Sequence, residues 1–155
     1  MTLAALAPDW LFLLFGLAFL YAAAIDIHQR RIPNAAPIAL ALGGLVAAAL
    51  AGPEASLWQN GLLFVAILVV GTFSFGRGWL GGGDVKLLAA ASLWFGLADG
   101  ARMIVATVLI GGVLTLLMLM GRIAFRGKDR EKARLIPYGV AIALGAVGTG
   151  LWLRG

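Results

Sequence analysis

Six apolar runs, separated by short polar or glycine-rich turns, fill most of this sequence. They cover 10–25, 35–51, 57–75, 85–98, 103–120 and 136–153. A helix that crosses a bilayer needs about 20 residues, within a range of about 17–25. The third, fifth and sixth runs meet that length, and the first two reach it with flanking residues. The fourth, of about 14 residues, also suits a re-entrant or buried piece. The chain of 155 residues is 62% hydrophobic and 12% charged. A soluble domain carries about a quarter charged residues and could not bury so much apolar surface at this size. A soluble enzyme and a disordered chain are therefore excluded. The expectation is one all-α, polytopic membrane domain over 1–155, with six transmembrane helices and the lipid bilayer as its surroundings.

Charge placement orders those helices. With six spans, Arg30, Arg31, Arg77, Lys86, Arg122, Arg126, Lys128, Arg130, Lys132 and Arg134 share one side, and Arg102 and Arg154 take the other. Ten of the 12 basic residues then lie together, and the positive-inside rule makes that side cytoplasmic. Both termini are expected outside the cytoplasm. If the fourth run did not cross, the cluster from Arg122 to Arg134 would lie opposite Arg30 and Arg31. The net charge of +5 thus reads as topology, and nucleic acid is not an expected partner. The first run precedes its positive charge, the reverse of a signal peptide, so no cleavage is expected despite Ala22-Ala23-Ala24.

Helix boundaries carry familiar signals. Asp9 and Asn34 are expected to cap the first and second helices, Pro37 fits a first turn, and Pro137 fits the start of the last helix. Gly43-Gly44, Gly111-Gly112, Gly139, Gly145, Gly148 and Gly150 offer small faces for helix packing.

The chemistry available is narrow. There is no cysteine and one histidine, His28, so thiol nucleophiles, disulfides and multi-histidine metal sites are absent. Asp9, Glu54, Asp99, Asp129 and Glu131 read as solvated or capping charges. Asp26 ends a long apolar stretch, where a carboxylate is costly, although Arg30 four residues on could pair with it. Asp84 closes Gly81-Gly82-Gly83-Asp84 and opens the fourth helix, where it could serve as a cap. Three glycines also admit a backbone at close range. Lys86 is expected to extend to the cytoplasmic surface. Six spans place Asp26 and Asp84 at one membrane depth on one side. A close carboxylate pair shares a proton. One member can then activate water while the other protonates a peptide carbonyl, with no cofactor or metal. Asp84 stands at a helix N-terminus, which favours its charge, so Asp26 is expected to hold the shared proton.

These motifs have a family likeness. Gly81-Gly82-Gly83-Asp84 is similar to the Gly-x-Gly-Asp signature of intramembrane aspartyl proteases. With Val85-Lys86-Leu87-Leu88-Ala89-Ala90 it resembles type IV prepilin peptidases. The stretch from Ile25-Asp26 through Pro33-Asn34 resembles that family's first aspartate motif, and Ile136-Pro137-Tyr138-Gly139 its final-helix motif. The chain looks like the short branch serving tight-adherence (Flp) pili. The resemblance implies an endopeptidase of the bacterial inner membrane that cuts the basic leader from prepilins at the cytoplasmic face. It implies Asp26 and Asp84 as catalytic residues, supported by Gly81, Gly83, Lys86, Pro33, Asn34, Pro137, Tyr138 and Gly139. Larger members also N-methylate the new terminus through an added cytoplasmic region, often with Cys-x-x-Cys pairs. Here the first connection is about eight residues and cysteine is absent, so methyl transfer is not expected.

Two other classes remain in view. A small proton-coupled transporter would use intramembrane acids but needs them near the midplane and open to both sides. A non-catalytic assembly subunit would leave both acids as helix caps. The topology is testable directly: reporter fusions after Gly127 should read cytoplasmic and those after Gly155 extracytoplasmic. A cytoplasmic reading at Gly155 would separate the two acids and overturn the arrangement.

Overall fold

The computed structural model describes residues 1–52, 57–124 and 138–155. The regular structure among them is helical: α1 (Leu3–Leu6), α2 (Asp9–Gln29), α3 (Ala35–Leu50), α4 (Trp58–Gly76), α5 (Gly82–Ser92), α6 (Leu97–Ala124) and α7 (Tyr138–Arg154). By length and composition α2, α4 and α6 can each cross a bilayer, while α3 and α7 are shorter apolar helices. Many of their large apolar side chains face outward, among them Leu13, Leu20, Val69, Val70 and Leu109. Outward leucine and valine in such number belong to a protein whose solvent is lipid.

The fourth run does not form one long helix. Its 11 helical residues, Gly82–Ser92, rise about 16 Å at 1.5 Å each, against a hydrocarbon thickness of about 30 Å. The helix stops because Trp94 and Phe95 turn into the core, where both are fully buried. Trp94 Nε1 donates to the Leu40 carbonyl at 2.9 Å. Asn60 donates to the Leu93 carbonyl at 2.9 Å, so a side chain of α4 satisfies the turn. Val85, Leu87 and 89–92 are buried, which makes α5 the central element, packed on α3, α4 and α7.

Long-range contacts sort the helix ends into two sets. Asn34, Lys86, Asp26 and Gly139 meet at one end. Thr2, Asp99, Gly96 and Gln59 meet at the other, where Arg154 also pairs with Asp9. From α2 to α7 the direction therefore alternates. Arg30, Arg31, Arg77 and Lys86 gather at the Asp26 end, and Arg102 and Arg154 at the opposite end. Most of the basic cluster, from Arg126 to Arg134, lies outside the described residues, as does Pro137.

Two expected caps behave differently. Pro8 precedes α2, and Asp9 is its first residue, used for the Arg154 pair. Asn34 occupies the cap position of α3 without a side-chain cap bond, because its oxygen accepts from Lys86.

Several small residues do set the seams. A side-chain carbon at Gly71 or Gly43 would strike Val85 or Trp94, and one at Gly145 would stand 2.9 Å from the Thr107 backbone nitrogen. Gly148, three residues along the same helix, faces open space. Gly145→Val should therefore destabilise the fold by about 1–3 kcal/mol, the usual cost of overpacking. Gly148→Ala should be neutral or mildly stabilising, since alanine favours helix. Denaturant unfolding in detergent micelles measures the difference, and equal stabilities would overturn this packing.

Candidate active site

Asp26 lies on the buried row of α2 formed by Leu11, Phe15, Phe19 and Ala22. That spacing of four, four, three and four residues is one helical face. The row carries the carboxylate inward, and the residue is 6% exposed. α2 ends three residues later, where Arg30 takes the left-handed conformation with φ 53°. The chain then turns through Ile32 and Pro33 into α3.

The partner of Asp26 comes from the far end of the sequence. The Gly139 N–H donates to Asp26 Oδ2 at 2.8 Å. Gly139 is the second residue of α7, and the first N–H groups of a helix have no partner within it. Here a carboxylate from α2 satisfies one. The approach requires glycine: a side-chain carbon at 139 would lie 2.8 Å from Asp26 Oδ2 and 3.1 Å from Ile32 Cδ1.

Asp84 is half-buried in the first turn of α5, three residues after Gly81 and just before the apolar run that begins at Val85. The Gly81 N–H donates back to its carboxylate, in the manner of an N3 acid reaching to the cap. A side-chain carbon at Gly81 would stand 2.6 Å from Asp84 Oδ2. Gly83 faces the α2–α3 connection instead, and a carbon there would lie 2.9 Å from Ile32 Cβ. Gly82 has ordinary room, with Phe75 3.4 Å away. The glycine triplet therefore contains two tight positions around one permissive one.

Ile32 is the residue that sequence reasoning passes over. It touches the Gly83 side of Asp84's turn and the Gly139 side of Asp26's bond, so it spaces the two acids. Its only signal is an isolated isoleucine between Arg31 and Pro33 in an otherwise polar stretch. Lys86 Nζ donates to Asn34 Oδ1 at 3.1 Å, clasping α5 to the start of α3 instead of extending free. Pro33 is half-buried beside them, its carbonyl accepting from the Ala36 N–H at 3.2 Å. Tyr138 turns away, its ring packed against Gly111 of α6. Among the described residues no three histidine, cysteine, aspartate or glutamate side chains gather as metal ligands.

At the mouth of the fourth run, burial pushes the Asp84 carboxyl up to about 6; the charge of Asp26 adds to this, and the Gly81 N–H opposes it. Ile32 lies against both the Gly83 turn and Gly139. Two acids 58 positions apart thus stand at one end of the fold, one bonded to the start of α7 and one in the first turn of α5.

This arrangement has relatives. The type IV leader peptidase family matches residues 13–120. The chain belongs to that family. It is 31% identical over 133 residues to a prepilin leader peptidase/N-methyltransferase of Xanthomonas campestris pv. campestris, covering 77% of this chain and 42% of the relative. It is 34% identical over 131 residues to the protein of the same name from Bacillus subtilis, covering 81% of this chain and 48% of the relative. The chain thus spans less than half the length of these curated relatives. No solved structure matches. Family membership and the apolar helices agree in making this a membrane protein.

The coupling between the acids has a measurable sign. In Asp26→Asn a negative charge beside Asp84 disappears, so the Asp84 midpoint should fall below its value of about 6. Carboxyl-carbon NMR titration of the labelled protein reads it. An unchanged or raised midpoint would place the two acids out of reach of each other.

Proposed function

We propose that this chain is an aspartyl prepilin peptidase of the bacterial inner membrane, cutting basic leaders from Flp-like type IV prepilins at the cytoplasmic face. The observation that carries the reading is the joining of Asp26 and Asp84 at one end of the fold, around Ile32 and the Gly139 N–H. Family membership supports the peptidase class, and the gathering of Arg30, Arg31, Arg77 and Lys86 at the same end supports a cytoplasmic orientation. Six crossings, with both termini outside, are part of the same proposal. The run from Val85, through the rest of α5 and the turn after it, makes the fourth crossing as a short central element.

The proton assignment departs from the sequence expectation. A helix N-terminus favours charge on Asp84, yet burial and the neighbouring Asp26 outweigh it, and the carboxyl is raised to about 6. Asp26 meanwhile has an N–H of α7 on its oxygen. In the working form Asp84 holds the proton and hydrogen-bonds the scissile carbonyl, while Asp26 accepts a proton from the attacking water. Asp84 gives its proton to the carbonyl oxygen as the water adds, and as the tetrahedral intermediate collapses Asp26 passes the proton it took from water to the leaving amine nitrogen while Asp84 takes back a hydroxyl proton, so the C–N bond breaks and both acids return to their starting forms. Leader cleavage is the activity proposed for this chain.

Cleavage of a purified prepilin in detergent or nanodiscs tests this. Asp26→Asn and Asp84→Asn should each lower turnover at least about 100-fold, within the range of general acid–base contributions, while inserting normally. Because the singly protonated pair is the active form, wild-type activity should fall at low pH. It should fall again as pH rises through the Asp84 midpoint of about 6. Gly82→Ala should keep most activity and Gly83→Ala should lose it, since only the latter carbon meets Ile32. Near-normal turnover in either Asn variant would remove the two-aspartate mechanism.

A further inference from the structure

The outward stripe of α4 ends in a cation. Leu62, Val65, Val69 and Phe73 are 50–64% exposed, and their spacing of three, four and four residues is one helical face. Arg77, four residues further, bounds α4 on that face. Its guanidinium carbon stands 4.5 Å from the centre of the Phe73 ring and 5.8 Å from that of Trp79. Among the described residues no carboxylate pairs with it. Trp79 is 70% exposed, the highest value among the large apolar side chains described.

The backbone fixes this group. The Gly78 N–H donates to the Phe75 carbonyl at 2.9 Å, and the Trp79 N–H donates to the Ser74 carbonyl at 3.0 Å. Around Gly78, at φ 73°, that pair of bonds is the Schellman ending of a helix. It folds Trp79 back toward the last turn of α4 and leaves both Trp79 and Arg77 exposed. The same stretch borders the acidic site. Trp79 stands two residues before Gly81, and the Phe75 ring lies 3.4 Å from where a side-chain carbon at Gly82 would stand.

α4 is long and apolar enough to cross a bilayer, and its outward stripe belongs in hydrocarbon. A guanidinium is costly there, so the hydrocarbon ends between Val69 and Arg77. Arginine binds phosphate through two parallel N–H bonds, and tryptophan settles at headgroup level, where its ring is apolar and its N–H is wet. Because the stripe is continuous with the lipid-facing surface, the phosphate within reach of Arg77 is a lipid's.

We propose that the α4–α5 connection is a bilayer anchor, with a lipid headgroup phosphate on the Arg77 guanidinium and the Trp79 indole beside it, and that this contact sets the depth of the Asp84 turn. The anchor stands apart from the leader-peptidase reading; its effect on cleavage rests on that reading.

Three measurements on the full-length protein test it. In phosphatidylcholine nanodiscs with carbon-labelled arginine, solid-state NMR should show lipid phosphorus dephasing a guanidinium signal that Arg77→Gln removes. In galactolipid discs, which lack phosphate, that dephasing should vanish, and added inorganic phosphate should not restore it. No such dephasing, or its restoration by free phosphate, would overturn the headgroup contact. Spin labels come next, since the chain has no native cysteine and a side chain at Gly76 meets open space. The label on Gly76→Cys should read at headgroup level and that on Val69→Cys about 10 Å deeper, seven residues along the helix. Adding Arg77→Gln and Trp79→Ala should shift the Gly76 label in depth, and an unmoved label would overturn the anchoring. Last, prepilin cleavage by the Arg77→Gln/Trp79→Ala protein should fall severalfold in nanodiscs yet match wild type in detergent micelles, which offer no fixed plane. Wild-type turnover in nanodiscs, or an equal loss in both media, would overturn the control of depth over the site. Failure of the wild type to cut prepilin would overturn the peptidase reading and leave the first two measurements to decide the anchor.

Discussion

The bond from the Gly139 N–H to Asp26 Oδ2, 2.8 Å long and 113 positions apart in sequence, joins the first long helix to the last. A carboxylate on the buried face of α2, 6% exposed, would be costly without a donor. An N–H at the start of α7 would be equally unsatisfied in lipid. Each group answers the other's need. The geometry that permits it is narrow, because any side chain at 139 would occupy the space of the carboxylate and of Ile32. Ile32 in turn abuts Gly83, so the same contact sets where α5 begins and where Asp84 sits. The site is thus a consequence of close packing at Gly83 and Gly139 around Ile32, which the α2–α3 connection supplies.

Away from the site, the fold achieves the same closeness with apolar surfaces. Gly71 admits Val85, Gly43 admits Trp94, and Gly145 admits the backbone of Thr107. Lipid offers helices no hydrophobic reason to associate, since its tails are as apolar as leucine. Close packing and the few interhelical polar bonds must supply the attraction. Asn60 to the Leu93 carbonyl and Trp94 to the Leu40 carbonyl are bonds of that kind, and both fasten α5 or its turn. The short central helix is consequently fastened at its end to α3 and α4 and at its start by the clasp of Lys86 on Asn34.

The helical class, the order of the helices and the common end of Asp26 and Asp84 are legible in the apolar runs and the charge asymmetry. Both are patterns local in sequence. What escapes such patterns is non-local. The early end of α5 depends on Trp94 and Phe95 finding buried places among Phe15 and Leu40, whereas hydropathy sees only a continued apolar run. Local spacing favours Asn34 as a cap, but Lys86 from α5 takes its oxygen. The proposed proton assignment differs from the dipole argument for a related reason. A dipole argument uses the helix that carries the acid, but the Asp84 carboxyl also experiences burial and the charge of Asp26, and α7 lies against Asp26. Ile32 falls inside the first aspartate motif, yet its role as the spacer exists only when α5 and α7 are both in place.

The opposite end of the fold bears on what the acids can do. Beyond Asp26 the interior is filled by Phe19, Phe15, Trp94 and Phe95, whose rings lie against one another at centroid distances of 4.6–6.4 Å. Phe15 and Phe19 are in edge contact, and all four are essentially unexposed. Past them, residues of α1 cover the turn after α5: the Ala4 N–H donates to the Trp94 carbonyl at 2.9 Å, and Thr2 bonds Asp99. Arg154 then donates to the Ala4 and Ala7 carbonyls. Directly behind Asp26 the α2 face is thus apolar and aromatic. A peptidase needs acids reachable from one end, with apolar packing behind them to exclude water from the far side. The same aromatic packing that closes the interior also floors a groove between α2 and α3 through Phe15 and Trp94. One cluster of side chains therefore separates the acids from the opposite end of the fold.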